Sequence, residues 1–169
     1  MKITEIKENK NKYINLLLLA DEQEDMIDRY LNRGIMYVLN NNGTKAICII
    51  TDEGNGILEI KNIATVPEHQ HKGYGRKLID FIVNKYKDKY DILQVGTGNS
   101  PLTVPFYEKC GFKKSHIIKN FFIDNYDHPI FECGQQLIDM IYFQMKLWKT
   151  VAIFIEKWHN INIKFNQRS

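Results

Sequence analysis

The most informative segment of the sequence is residues 63–78, Ile63-Ala-Thr-Val-Pro-Glu-His-Gln-His-Lys-Gly-Tyr-Gly-Arg-Lys-Leu78. An apolar strand runs into a turn that contains Gly73 and Gly75, and a helix begins at once. The glycines let the backbone approach a ligand closely, and the helix start offers unpaired N–H groups and a positive dipole end. Four basic side chains surround the turn: His71, Lys72, Arg76 and Lys77. The segment therefore predicts an anion site, most naturally for a pyrophosphate.

The glycine pair alone is also compatible with a tight turn before a solvated basic helix. The turn is not a Walker loop, because the pattern GxxxxGK[ST] is absent. It is not a dinucleotide-binding fingerprint either, because GxGxxG fails at Leu78. The flanking sequence has to decide between a ligand site and a plain turn.

Hydrophobic periodicity predicts strands and helices on both sides of this turn. Strands are expected at residues 2–6, 35–39, 45–51, 57–66, 91–95, 114–122 and 138–147. Helices are expected at 21–33, where Asp21 and Glu24 resemble a capping box, at 76–87, and within 101–109. Asn42-Gly43 is a strong signal for a hairpin between the second and third strands. Residues 124–134 are expected to form a polar, aromatic-rich loop.

This order predicts an α+β, or mixed α/β, fold. Early hairpins give antiparallel pairs, and the later strand–helix–strand unit gives one parallel crossover. We expect a six- or seven-stranded, mostly antiparallel mixed sheet in which the strands at 57–66 and 91–95 form the parallel pair. An all-parallel sheet would contradict this prediction.

Composition excludes several classes of protein. The chain has 169 residues and a net charge of +3, too small for a nucleic-acid-binding protein. Three widely spaced cysteines form no CxxC pair, so neither a disulfide framework nor a metal site is expected. No apolar segment is long enough to span a membrane. We expect a protein of the reducing cytoplasm.

Two ordered motifs make the interpretation specific. Gln70-x-x-Gly73-x-Gly75 lies between a strand and a helix, and Asn99-Ser100 precedes Phe106-Tyr107-Glu-Lys-Cys-Gly111-Phe112. Together they resemble the acyl-CoA motifs of the GNAT superfamily of N-acetyltransferases. The resemblance covers residues 2–147 and points to a bacterial subgroup of small acetyltransferases without a settled substrate. It implies helices on both faces of the sheet and a parallel pair that splays apart.

The resemblance also implies acetyl-CoA as the cosubstrate and assigns its contacts. The pantetheine arm would lie along Ile63, Ala64 and Thr65, and Asn99 would bond this arm. The pyrophosphate would be bound by the motif residues Gln70, His71, Lys72, Gly73, Tyr74, Gly75 and Arg76. Tyr107 would contact the cofactor as the general acid that protonates the leaving thiolate.

Glu59 is the candidate general base, on the strand where some superfamily members place a catalytic glutamate. Strict alternation would put Glu59, Lys61 and Ile63 on one face of the strand. An exposed carboxylate paired with a lysine is the alternative. Gln94 stands where other members carry a strand glutamate, and an amide cannot act as a base. A water chain therefore stays open as a second route for the proton.

The acceptor end is predicted from acidic and aromatic residues, which suit a cationic amine. They are Asp21, Glu22, Asp124, Tyr126, Asp127 and Glu132. A solvated loop with ordinary turn residues is the alternative. The predicted function is acetyl-CoA-dependent N-acetyl transfer to a small-molecule or protein amine. A silent CoA-binding sensor, or an acyltransferase with another acyl group or a hydroxyl acceptor, remains an alternative.

The domain is expected to span residues 1–147, followed by an extension at 148–169. Val151, Phe154, Ile155 and Trp158 fall at helical spacing in this extension. Such an apolar segment should pack on its own domain or form a subunit contact, as in a homodimer.

Overall fold

A seven-stranded sheet forms the centre of the computed structural model, which describes residues 1–148. Its strand order is β1-β2-β3-β4-β5-β9-β6. The strands are β1 (Lys2–Ile6), β2 (Ile35–Asn40), β3 (Thr44–Gly54), β4 (Ile57–Thr65), β5 (Ile92–Gly98), β6 (Lys113–Ile118) and β9 (Met140–Lys146). A separate hairpin joins β7 (Phe131–Glu132) to β8 (Gln135–Gln136).

Helices cover both faces of the sheet, as predicted. They are α1 (Ile14–Leu17), α2 (Glu24–Leu31), α3 (Tyr74–Tyr86), α4 (Thr103–Lys109) and α5 (Phe121–Asn125), with short 3-10 helices at Lys10–Tyr13 and Pro67–His69. On one face, α3 and α4 bury Leu78, Ile82 and Tyr107 against Leu58 and Ile60. On the other face, α1 and α2 cover a second core. Burial of these two apolar faces is the main stabilising contribution to the fold.

The early hairpins are antiparallel, and the Asn42-Gly43 turn is confirmed. Both residues have positive φ, 53° at Asn42 and 95° at Gly43, the conformation that asparagine and glycine tolerate best. The predicted parallel pair is also confirmed, between β4 and β5. The fold class is therefore the mixed, mostly antiparallel sheet that the sequence predicted.

The parallel pair is short, and the two strands then part. Their register runs from Ile57 opposite Ile92 to Ile60 opposite Val95, where it stops, although β4 continues to Thr65 and β5 to Gly98. A bulge lies next to the last pair, because Ile50 faces Ile60 while Ile49 faces Asn62. A bulge bends its strand and increases the local twist, so this one turns β4 away from β5.

Three local predictions are wrong. Helix α2 begins at Glu24 with Gln23 as its N-cap, and no side chain within residues 1–148 caps it, so Asp21 and Glu24 form no capping box. The strand expected at residues 114–122 ends at Ile118, because the chain turns through Asn120 at a positive φ of 56° into α5. The segment expected as a loop at 124–134 contains the end of α5 and strand β7.

The last strand, β9, is inserted between β5 and β6. It pairs antiparallel with β5 over residues 92–98 and with β6 on its other side. The predicted extension lies beyond it, almost entirely outside the described residues. Over residues 1–148, no helix is long and apolar enough to cross a membrane.

Candidate active site

The turn between β4 and α3 has an open, donor-rich geometry. Gly73 is the N-cap of α3 with φ of 79°, and a Cβ added there would meet nothing within 4 Å. Within the described part of the chain, no side chain caps this helix. A Cβ at Gly75 would lie 3.3 Å from Cζ of Phe106, so the first turn of α3 packs closely on α4. The unpaired N–H groups therefore face space that an anion can fill.

The basic side chains of the turn are partly engaged by backbone carbonyls. Arg76 donates to the carbonyl of Lys109 at 2.6 Å, and Lys72 donates to the carbonyl of Glu68 at 2.9 Å. His71 is exposed and has φ of 58°. Two of the four basic side chains are therefore held by backbone carbonyls.

The remaining residues predicted for the cofactor lie along the same edge. The Gln70 amide points back to the carbonyl of Thr65, 3.5 Å away, and the Tyr74 hydroxyl accepts from Asn41 at 3.1 Å. Residues 63–65 belong to the part of β4 that has separated from β5. Asn99 is exposed directly after β5. The structure thus brings these residues to one end of the parallel pair.

Tyr107 lies in α4, buried among aromatic rings. Phe106, Phe112 and Phe143 surround it, with ring centroids 5.1, 5.8 and 6.3 Å away. Burial raises the pKa of Tyr107, and the nearby Cys48, Cys110 and Glu132 act in the same direction. The phenol therefore keeps its proton at neutral pH.

Glu59 is buried and held from three sides. Gln94, its register partner on β5, donates to Oε2 at 2.6 Å; Lys61 donates to Oε1 at 2.7 Å; Tyr142 donates to Oε1 at 3.3 Å. The predicted alternation fails beyond Glu59, because Lys61 is the extra residue of the bulge. Glu59 consequently faces the α2 side of the sheet, whereas Ile63 packs on the α3 side.

A cavity of about 290 Å³ opens in front of Glu59. Its lining residues come from α2 and the segments that flank it, from β4, β5 and β9, and from the α5 region. They are Asp21, Met26, Arg29, Tyr30, Arg33, Glu59, Ile60, Lys61, Gly96, Phe121, Tyr126, Met140 and Tyr142. Glu59 stands at the point where β4 and β5 part. A molecule bound in this cavity would therefore lie next to the gap between β4 and β5.

Asp21 is the centre of a hydrogen-bond chain in the cavity wall. Tyr126 donates to its Oδ1 at 2.9 Å and Tyr30 to its Oδ2 at 3.0 Å. Asn62 in turn donates to the Tyr30 hydroxyl at 3.1 Å. Burial raises the pKa of Asp21, a shift that the two phenol hydrogen bonds oppose. Two of the residues predicted for the acceptor, Asp21 and Tyr126, are therefore in direct contact.

The other four residues predicted for the acceptor do not line this cavity. Glu22 and Asp124 are exposed, and Asp127 pairs with the neighbouring His128. Glu132 lies on β7 and is an electrostatic neighbour of Tyr107 instead. Sequence reasoning missed Arg29, Tyr30 and Tyr142. The helical spacing of Met26, Arg29 and Tyr30 could have shown that they share one face of α2.

Comparison with known proteins agrees with this geometry. The family model for the acetyltransferase (GNAT) domain matches residues 32–114. The uncharacterised N-acetyltransferase YvbK of Bacillus subtilis is 35% identical over 144 residues, which span 83% of this chain and 93% of YvbK.

Solved structures agree with the same assignment. A GNAT family acetyltransferase from Elizabethkingia anophelis, solved with acetyl-CoA bound, is 38% identical with a TM-score of 0.81, covering 86% of this chain and 97% of its own. A Bacillus subtilis acetyltransferase in complex with CoA is 34% identical with a TM-score of 0.79, covering 86% of this chain and 98% of its own.

These matches place the chain among the acyltransferases. More particularly, this chain belongs to the GNAT acetyltransferase family.

Proposed function

We propose that this chain transfers the acetyl group of acetyl-CoA directly to a primary amine. The observation that carries the proposal is the gap that opens after Ile60 and Val95, with Glu59 on its border and a cavity in front of it. Such a gap can admit a narrow thioester from the α3 side and an amine from the cavity side. A direct transfer between the two then needs no covalent enzyme intermediate.

The turn at residues 70–76 would hold the pyrophosphate of acetyl-CoA. The open space at Gly73 and the uncapped start of α3 fit an anion bound by backbone N–H groups. Beyond the last parallel pair, residues 63–65 have no partner on β5, so their backbone could bond the pantetheine arm. Asn99, at the end of β5, would bond the same arm from the opposite side.

The transfer requires that the acceptor nitrogen loses two protons and that the leaving sulfur gains one. The acceptor enters as an ammonium and gives one proton to Glu59, directly or through water, because only the free amine has a lone pair. The nitrogen forms a bond to the thioester carbon, and the carbon–sulfur bond breaks. The acylated nitrogen loses its second proton to water, and the leaving thiolate takes a proton from Tyr107, whose hydroxyl regains one from solvent. The products are an N-acetyl amine and CoA.

Release of free thiol from acetyl-CoA tests the proposal, with mass spectrometry of the product. The panel contains polyamines, aminoglycosides, amino acids and peptides, together with alcohols. N-acetylated product from at least one amine is the expected result. Acetyl-CoA binding without turnover would instead favour a sensor. Transfer only from longer thioesters would indicate a different acyl group, and transfer only to alcohols would indicate a hydroxyl acceptor.

A further inference from the structure

The charged groups that line the cavity in front of Glu59 are arranged in pairs, with two exceptions. Lys61 offsets Glu59 at 2.7 Å, and Arg33 is offset at 2.7 Å by Glu53, which lies outside the cavity. Among residues 1–148, Asp21 and Arg29 form no ion pair. The cavity therefore presents one anionic and one cationic group that lack an oppositely charged partner in this part of the chain.

Arg29 is exposed enough to meet a ligand. Its guanidinium donates one hydrogen bond, to the amide oxygen of Asn125 at 3.0 Å. A guanidinium carries five N–H donors in a planar fork that matches a carboxylate in shape. Arg29 lies on α2, one turn from Met26 and one turn from Arg33, and all three residues line the cavity. Most of its donors therefore remain for an anionic group.

The rest of the lining is apolar or aromatic. Met26, Ile60, Phe121, Met140 and the rings of three tyrosines contribute to it. A volume of about 290 Å³ lies at the small end of ligand pockets, which measure roughly 300–1,000 Å³. The cavity therefore suits one compact molecule with an apolar body.

We propose that the acceptor is a small amino carboxylate, an amino acid in the simplest case, whose amine lies at Glu59 and whose carboxylate is bound by Arg29. This inference rests on the proposed acetyl transfer and adds the class of its substrate. Arg29 acts as a specificity residue, not as a catalytic one. Asp21 contributes a negative wall that orients the ammonium before its proton leaves.

A diamine fits the same cavity less well. Its second ammonium would lie near Arg29, the cation of the cavity that is unpaired within residues 1–148, and like charges repel. A peptide amine would bring a bulky chain and no free carboxylate near its nitrogen. Both classes are outcomes that the experiment can separate from the amino carboxylate.

The test compares acceptors that differ only in the carboxylate: phenylalanine with phenethylamine, tryptophan with tryptamine, and β- and γ-amino acids with the matching alkylamines. We expect the wild-type protein to prefer the acid of the best pair in kcat/KM. Arg29→Gln should lower kcat/KM for that acid by about tenfold to a hundredfold, mainly through KM, as expected for loss of a hydrogen bond to a charged group. It should leave the decarboxylated partner within about threefold, and Arg29→Lys should restore part of the loss.

Two control variants separate this role from a structural one. Asn125→Ala removes the contact of Arg29 with α5 but keeps the charge, and Lys85→Gln removes an exposed charge on α3, across the sheet. Both should preserve the preference for the acid. An equal loss for acid and amine in Arg29→Gln would overturn the inference, as would a preference for diamines or peptides. Acetylation of those acceptors would leave the proposed acetyl transfer intact, whereas no acetylated product from any amine would overturn the transfer itself.

Discussion

At the scale of single residues, Glu59 and Tyr107 lie on opposite faces of the sheet. Glu59 borders the cavity on the α2 side and is held by three hydrogen-bond donors. Tyr107 belongs to the core on the α3 side, together with Ile60 and Val95, the last parallel pair. In the proposed reaction this separation lets Glu59 accept a proton and Tyr107 donate one without a proton exchange between the two residues.

Replacing Tyr107 by phenylalanine should slow the reaction while leaving cofactor affinity intact. The ring keeps its aromatic contacts, but the thiolate loses its proton donor, a change typically worth about 10²–10⁴-fold in rate. The measurement is kcat under conditions where chemistry limits the rate, together with the Kd of acetyl-CoA. Tyr86→Phe, which removes another hydroxyl of the same core, is the control and should affect stability alone. An unchanged kcat in Tyr107→Phe would remove this residue from the mechanism.

Glu59→Gln should depress the rate most near neutral pH. An alkyl ammonium with a pKa of about 10.4 is almost fully protonated at pH 7, so removal of the base matters most there. The defect should shrink as the pH approaches the pKa of the amine. The measurement is the pH–rate profile, and Glu53→Gln, the carboxylate paired with Arg33, is the matched control. Superimposable profiles for Glu59→Gln and wild type would show that the proton leaves by another route.

At the scale of elements, the β4–α3 unit carries the cofactor prediction. Gly73→Glu should abolish acetyl-CoA binding, because the side chain would enter the anion space and its charge would repel the phosphates. Strain at a positive φ also destabilises such a variant, so a control must share it. Gly54→Glu has nearly the same φ, 80° against 79°, and the same open surroundings at the far end of the sheet. We expect equal losses of stability in the two variants and a loss of binding by calorimetry in Gly73→Glu alone; tight binding by Gly73→Glu would refute the site.

Elements that depend on neighbouring residues were predictable, and those that depend on distant contacts were not. The Asn42-Gly43 hairpin and the crossover through α3 follow from local turn chemistry and periodicity. The bulge at Lys61 has no local signal, because it is defined by pairing with β3. Because of this bulge, Glu59 and Ile63 lie on opposite faces of the sheet. Likewise, Asp21 resembles a helix cap in sequence, but two tyrosine hydroxyls from other segments bind its carboxylate.

At the scale of the whole molecule, Asp21 joins segments that are far apart in sequence. Its hydrogen bond with Tyr126 connects positions 105 residues apart. Nearby, the Asp127 backbone N–H donates to the Gln23 side chain, and Arg29 donates to the Asn125 side chain. These contacts fix one wall of the cavity. Asp21 and Tyr126 were predicted from the sequence as polar candidates. Tyr142 was not, because it reaches the cavity only through the pairing of β9 between β5 and β6.

The raised pKa of Asp21 predicts how stability depends on pH. A carboxyl whose folded pKa is raised contributes stability that is present at acidic pH and lost as the pH rises through that pKa. The Asp21→Asn variant has no carboxyl to ionise at this position and does not lose this stability as the pH rises. The free energy of unfolding of the variant, relative to that of the wild type, should therefore increase between pH 4 and 7. Urea denaturation at several pH values measures the difference. Glu22→Gln, an exposed neighbour, should show a smaller slope; equal slopes would mean that burial of Asp21 is not the cause.

The position of β9 has a consequence for synthesis on the ribosome. Strands β5 and β6 emerge before the strand that joins them, so each waits with an unpaired edge until residues 140–146 have been made. Unpaired strand edges are where nascent chains aggregate, and β6 carries Lys113 and Lys114, charges that discourage such pairing. The half of the sheet that would receive acetyl-CoA is therefore completed last, and a nascent chain that ends before β9 cannot yet close the cavity wall that Tyr142 supplies.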